Sequence, residues 1–252
     1  AGRRLPDGAA AYVTNAQSND VSILDTATNT VTGTVPVGEA PGGIAITPDG
    51  SGVYVVNATS KTVSVIDTTT NTVTASVPIT GNASWGAAAS ADGAHVYVPT
   101  GDAISVIDTA TNTIAATIPV GSFPILAATN STHLYVTNAG DYTISVIDTA
   151  ANTVVATIPV PAAGRPVAIT ATDQAVYVRS GAEVFVIDAV TNTVSTTFPV
   201  KHPRRGGRHR RRKHAVHHRL RRRRGRGLRH RHQHRGRLSS RRRDHRWCRR
   251  LP

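Results

Sequence analysis

Along residues 1–200 apolar side chains fall in short runs, each closed by a cluster of turn-forming residues. Between positions 42 and 79 the runs are "GGIAIT" (42–47), "GVYVVN" (52–57), "TVSVID" (62–67) and "TVTASVPI" (72–79), separated by "PDG", "ATSK" and "TTTN". β-Branched runs of this length between such punctuators predict four strands joined by tight turns. The apolar residues occupy both parities: Val63 and Val65 face one way, Ile66 the other. Strands of that kind need cover on both faces, and stacked sheets provide it.

The unit occurs five times. "YVTNAQSNDVSILDTATNTVTGTVPV" (12–37) returns as "YVVNATSKTVSVIDTTTNTVTASVPI" (54–79), and "YVPTGDAISVIDTATNTIAATIPV" stands at 97–120. "YVTNAGDYTISVIDTAANTVVATIPV" (135–160) and "YVRSGAEVFVIDAVTNTVSTTFPV" (177–200) complete the series. The leading tyrosines, Tyr12, Tyr54, Tyr97, Tyr135 and Tyr177, are spaced by 42, 43, 38 and 42 residues. Four antiparallel strands repeating every ~40 to 45 residues predict the blades of a β-propeller. The fold class expected is therefore all-β, with about five blades at approximately 6–37, 42–79, 84–120, 124–160 and 166–200.

Each copy carries an Asp and an Asn four residues apart: Asp25/Asn29, Asp67/Asn71, Asp108/Asn112, Asp148/Asn152 and Asp188/Asn192. Five copies in five blades cannot line one active site, so the pair is read as turn chemistry. Asp accepts a hydrogen bond from the backbone N–H two residues on, and Asn tolerates the left-handed conformation of a tight loop.

"YVTN" at 12–15 and 135–138, "YVVN" at 54–57 and the recurring "VIDTATNTV" resemble the YVTN-type β-propeller repeat family. The resemblance spans residues 6–200, and several motifs recur together at fixed spacing. It implies a seven-bladed ring, mostly secreted or surface-attached in bacteria and archaea. Some members are described as lactonase-like, but no position here matches a lactonase metal or catalytic motif, so that activity is not carried over. A seven-bladed ring at this spacing needs about 290 residues. Because "LPDGAAAYVTN" (5–15) aligns with "TPDGSGVYVVN" (47–57), the first blade is expected to lack its first strand and the ring to be incomplete. Two uncovered blade faces then invite association or aggregation.

Charge divides the chain in two. Residues 1–200 hold five basic side chains (Arg3, Arg4, Lys61, Arg165, Arg179) against 14 acidic ones, a net of −9. Residues 201–252 hold 22 Arg and 2 Lys against Asp244 alone, a net of +23, with nine of the 11 histidines. This part is expected to be a disordered, basic low-complexity tail. As a cationic arm it would bind nucleic acid non-specifically and salt-dependently. Only Trp247 interleaves, so base stacking has little to work with. His230, His232 and His234 alternate as a weak metal chelator would, and the lone Cys248 excludes a zinc framework.

A frame shift accounts for more of the tail. Arg codons moved by one nucleotide become Gly, Ala, Val or Asp codons, and His codons become Thr or Ile codons. "PRRGGRHRRRKHAV" (203–216) set against "PGGIAITPDGSGVY" (41–54) then places Pro203, His209, Lys213 and Val216 opposite Pro41, Thr47, Ser51 and Tyr54. On this reading the tail is a further blade read out of frame.

No run of about 18 apolar residues suggests a spanning helix, and the chain opens on Ala1 with no Met, as a processed or clipped product would. No residue is assigned a catalytic, cofactor-binding or metal-ligating role, and no cofactor is expected. His95 and His133 each precede a repeat tyrosine by two residues and are read as strand-edge surface positions. Trp85 is read as packing between blades, with a binding aromatic at the channel rim as the alternative. Arg165 and Arg179 are candidate anion contacts in the channel. The leading expectation is a non-enzymatic, extracellular, cell-surface or periplasmic module that binds a protein or cell-envelope ligand at a rim or in the channel. The alternatives are a lactonase-like hydrolase with a channel-bound divalent cation and nucleic-acid binding through the tail. The hydrolase would need carboxylates converging at the channel; Glu39, Asp173 and Glu183 are acidic residues outside the repeated Asp slot, and nothing in the sequence brings them together.

Overall fold

The structure is a computed structural model that describes residues 1–83, 85–160 and 166–200. The basic tail, with its histidines, Cys248 and the proposed frame shift, lies outside the described residues, as does Arg165. Among the described residues, twenty strands form five antiparallel sheets of four, each in simple meander order. Sheet 1 holds β1 (Gly2–Arg4), β2 (Ala10–Asn15), β3 (Asp20–Asp25) and β4 (Thr30–Pro36). Sheet 2 holds β5 (Pro41–Ile46), β6 (Gly52–Asn57), β7 (Thr62–Asp67) and β8 (Thr72–Pro78). Sheet 3 holds β9 (Ala88–Ala89), β10 (His95–Thr100), β11 (Ala103–Asp108) and β12 (Thr113–Pro119). Sheet 4 holds β13 (Pro124–Thr129), β14 (His133–Asn138), β15 (Thr143–Asp148) and β16 (Thr153–Pro159). Sheet 5 holds β17 (Pro166–Ala171), β18 (Ala175–Ser180), β19 (Glu183–Asp188) and β20 (Thr193–Pro199).

One expectation is corrected. The first blade has its inner strand: Gly2, Arg3 and Arg4 pair with Val13, Tyr12 and Ala11. The Ala1 carbonyl accepts from the Thr14 N–H at 2.8 Å, and the Ala1 ammonium donates to Thr14 Oγ1 at 2.8 Å. "AGRR" carries no β-branched residue, so its propensity is silent. The free hydrogen-bonding edge of β2 recruits it instead.

Packing between sheets uses one joint, repeated. The face of sheet 1 formed by Tyr12, Val21, Ile23 and Val35 packs on Ile44, Val53, Val55 and Ile66 of sheet 2. Tyr54, Val56, Val63, Val65 and Val77 of sheet 2 then meet Val96, Val98 and Ile107 of sheet 3. Sheets 3 and 4 join in the same way, and so do sheets 4 and 5. Sheets 2 to 4 are thus covered on both faces, and Val53, Tyr54, Val55 and Val56 are all buried in one strand. In β2 and β18 burial alternates instead. Among the described residues, sheets 1 and 5 each pack on a neighbouring sheet through one face.

The joint also has a polar latch. The Tyr12 hydroxyl donates to Asn71 Oδ1 of sheet 2 at 2.7 Å, and the Tyr54 hydroxyl donates to Asn112 Oδ1 of sheet 3 at 2.8 Å. At the next joint Tyr97 reaches the Thr149 carbonyl at 3.5 Å, and Asn152 Oδ1 is buried without a hydrogen-bond partner. Whether or not they accept a hydroxyl, the asparagines of all five turns sit at φ of 53° to 55°. Ahead of each, the aspartate caps the turn: Asp67 Oδ1 accepts from the N–H groups of Thr69 at 2.8 Å and Thr70 at 3.0 Å. Asp25, Asp148 and Asp188 repeat that pair of bonds. The five Asp and Asn residues are therefore structural. A bulge between the third and fourth strands of every sheet adds local twist.

Replacing Asn112 separates its two duties. Asn112→Gly keeps the left-handed turn but leaves the Tyr54 hydroxyl unpaired, a loss of about 1–3 kcal/mol. Asn112→Ala adds about 1–2 kcal/mol of backbone strain. Urea unfolding of both variants checks the order Ala below Gly below parent; equal losses would show that conformation is irrelevant at this turn.

Candidate functional site

Each blade exposes two sets of loops. One rim carries the Asp–Asn turns and the first residues of β10 and β14; the opposite rim carries the β2–β3, β6–β7, β10–β11, β14–β15 and β18–β19 turns and the loops entering the inner strands. His95 and His133 open β10 and β14, half-buried, with their rings 6.2 and 6.3 Å from those of Tyr97 and Tyr135. They occupy equivalent strand-edge sites in different blades. Among the described residues, no three His, Cys, Asp or Glu side chains come together as a metal site would require.

On this first rim hydrogen bonds hold the turn aspartates below the usual carboxylate range: the Thr69 hydroxyl first and then loop N–H groups for Asp67, and loop N–H groups first for Asp25, Asp108, Asp148 and Asp188. Burial, reinforced by nearby carboxylates, pushes Tyr54 and Tyr97 up to about 12.

The inner strands of all five sheets line one cavity of about 450 Å³, among them Arg3, Ala45, Ala88, Thr129 and Thr170. Its described lining contains Arg3 and Arg4 and no carboxylate. Arg179 belongs elsewhere, on β18, with its Nε buried and unpaired. Glu39 precedes β5, Asp173 precedes β18 and Glu183 opens β19, so the three acids considered for a channel cation are not brought together. Asp173 accepts the Ser131 N–H at 2.9 Å, a loop contact between blades.

The second rim is where the repeat is broken by large aromatic side chains. Trp85, Phe123 and Tyr142 are 64%, 48% and 44% exposed. Trp85 and Phe123 flank a groove of about 370 Å³ whose floor and walls include Asn82, Gly101, Asp102 and Ile125. Trp85 also borders the adjoining inner cavity beside Ile44 and Leu126. Its six-membered ring lies over Gly42, where a Cβ would stand 2.8 Å away, and a Cβ at the next residue, Gly86, would lie 2.5 Å from the Ile125 carbonyl oxygen. Two glycines thus let the indole lie across the blade boundary. The packing expectation for Trp85 accounts for one edge of the ring; most of its surface faces outward.

Phe123 and Tyr142 occupy left-handed backbone, at φ of 54° and 56°. In neighbouring blades those turn positions carry Ala40 in the first case and Asn19 or Lys61 in the second; the two-residue turns of sheets 3 and 5 put their left-handed residue, Gly101 or Gly181, one place earlier. A bulky side chain there costs about 1–2 kcal/mol, and such strain collects at functional positions. The surroundings impose it: Phe123 N–H donates to Asp102 Oδ1 at 3.1 Å, and its carbonyl accepts from Ala139 N–H at 2.9 Å. Sequence reading did not single out Phe123 or Tyr142. Their signal was a departure from the repeat at two turn positions.

The meander sheets, the joint between them and the shared inner cavity define a β-propeller. The chain is similar to Kuenenia stuttgartiensis hydrazine synthase, with a TM-score of 0.71 and 24% sequence identity over 79% of this chain. It spans 65% of that chain's length, and at this identity the likeness shows the fold alone. Solved structures matching the chain number 1453, so the architecture by itself selects no chemistry. No protein-family model and no curated protein sequence matches the chain.

The titrations predict a pH window. The lowered aspartates contribute stability that is present above the unfolded value of about 3.9 and lost as pH falls through their lower folded values. The raised tyrosines contribute stability that is present below about 10 and lost as pH rises through about 12. Far-UV circular dichroism should therefore hold level between about pH 4 and 10 as far as these groups decide it. Absorbance at 295 nm should show two tyrosines ionising only near pH 12; full ionisation of all six by pH 11 would contradict the buried joints.

Proposed function

We propose that the chain is a YVTN-type propeller of the secreted or cell-surface class, acting as a non-enzymatic binding module through its aromatic rim. The observation that carries this reading is the trio Trp85, Phe123 and Tyr142: large, exposed, confined to one rim, with two of them on strained backbone. Flat aromatic faces beside Asn82 and Asp102 suit the C–H faces and hydroxyls of a cell-envelope saccharide. A concave site with a few polar groups is the general form of a ligand pocket. A body rich in Thr, Asn and Ala, poor in Lys and free of Cys suits export.

The lactonase-like alternative gains no support from the site, because the described lining of the inner cavity offers two arginines where a divalent cation needs carboxylates. Nucleic-acid binding by the tail rests on composition alone.

Co-sedimentation of the full chain with insoluble envelope polysaccharide in 0.5 M NaCl tests the rim, since that salt screens the tail. Trp85→Ala and Phe123→Ala should each weaken retention by about tenfold, roughly 1.4 kcal/mol. Tyr142→Asn should weaken retention while raising thermal stability by about 1 kcal/mol through relief of the turn. Retention unchanged in all three variants would refute the rim as the site. Turnover of a lactone panel with added Ca²⁺, Mn²⁺ or Zn²⁺ would refute the non-enzymatic reading.

A further inference from the structure

The groove between Trp85 and Phe123 holds a charge that the fold does not ask for. It is built from sheets 3 and 4, each packed against a sheet on either side. The segment entering sheet 3 is pinned to the β10–β11 turn, where Gly101 N–H donates to the Asn82 carbonyl at 2.9 Å and Ala83 bridges to Thr100. Asp102 follows Gly101 in that turn. Its Oδ1 accepts the Phe123 N–H at 3.1 Å and so fixes the base of the second aromatic wall.

Asn19 holds the same slot in sheet 1: the carbonyls of Asn19 and Asp102 accept from Val37 and Val120 N–H, each at 3.0 Å. The Asn19 side chain does the same work, its Oδ1 accepting the Ala40 N–H at 3.0 Å. A neutral amide therefore suffices to hold the next blade's entry loop. Where the held residue is Phe123 rather than alanine, the amide gives way to a carboxylate, and the negative charge is surplus to the turn. Asp141 adds a second carboxylate close by, its Oδ2 accepting the N–H of Ser122, the residue before Phe123. Both aspartates are exposed, and the described lining of the groove contains no basic side chain.

A sugar hydroxyl would be served by an amide as well as by a carboxylate; the extra charge gains its value against a positive group. Open aromatic faces have the same preference, because the ring quadrupole is negative above and below its plane. A primary ammonium brings three donors that need acceptors in fixed places. A quaternary ammonium spreads its charge over methyl groups that pack on rings and need no acceptor. With two aromatic walls and only Asn82 and Asp102 as polar side chains in its described lining, the groove suits the second kind.

We propose that the Trp85–Phe123 groove binds a quaternary ammonium group, carried as a substituent on an envelope saccharide, with Asp102 as its counter-charge. This rests on the reading of the rim as a saccharide site and names the group that the rim selects.

Trp85 reports occupancy by itself once Trp247, the other tryptophan, is replaced. The full chain carrying Trp247→Phe is therefore titrated with choline chloride in place of NaCl, at constant chloride, while Trp85 emission is followed. Choline should bind about tenfold more tightly than 3,3-dimethylbutan-1-ol, its uncharged counterpart of the same shape, and more tightly than ethanolamine. Asp102→Asn, which keeps an acceptor for the Phe123 N–H as Asn19 does for Ala40, should bring choline down to the affinity of the uncharged alcohol. A choline response that is absent or no stronger than the alcohol's would overturn the proposal, as would undiminished choline binding by Asp102→Asn. Tighter binding of ethanolamine would also overturn it, by assigning the groove to a primary ammonium. Polysaccharide retention by the same chain separates the two readings: retention that depends on Trp85 without choline recognition keeps the rim and removes its cation, whereas loss of both removes the site.

Discussion

A four-stranded sheet made of Val, Ile and Tyr on both parities has no side to turn toward water. Each sheet must find a neighbour in front and another behind, and everything else in this protein serves that requirement. Tyr12, Tyr54, Tyr97 and Tyr135 drive into the next sheet, and where the latch forms, the hydroxyl of a mostly apolar ring keeps its hydrogen bond by meeting an asparagine across the boundary. Burying that hydroxyl without a partner would cost about as much as a methyl group gains. The latch therefore converts a loose hydrophobic stack into one with a fixed register.

The polar residues of the repeat are explained by the same economy of position. The asparagine of "YVTN" is buried at Asn57 and Asn138, where its Nδ2 donates to Thr62 and Ser64 in one sheet and to Thr143 and Ser145 in the other. In sheet 3 the position is Thr100, and it pairs with Ser105 at 2.9 Å. The serine inside "VSVID" thus pairs with that residue across the second and third strands. Repetition of these residues reflects repetition of a mechanical task, and chemistry must be sought where repetition fails.

The four-stranded blade, its strand order and the turn roles of Asp and Asn were legible because each rests on local signals repeated along the chain. Spacing between tyrosines showed the blades; the fixed gap of four showed the turns. What was not legible depends on proximity between distant segments. Nothing in "AGRR" announces a strand, and it becomes one because the edge of β2 is free. Trp85 was visible as an irregularity, but its place over Gly42 needs two blades in position. Phe123 and Tyr142 were hidden because their backbone conformation, not their residue type, makes them unusual. The tail speaks only through composition, where arginine density suggests one thing and reading frame another.

Near-identical repeats invite the thought that blades could be duplicated, deleted or exchanged by recombination without harm. The second and third could not. The indole of the third rests where the second has no side chain, so a second-blade unit with alanine in that spot would collide with it, while a third-blade unit moved elsewhere would meet a different neighbour. A single glycine thus gives this pair of modules a fixed adjacency, and any gene rearrangement that separated them would dismantle the rim along with the pairing.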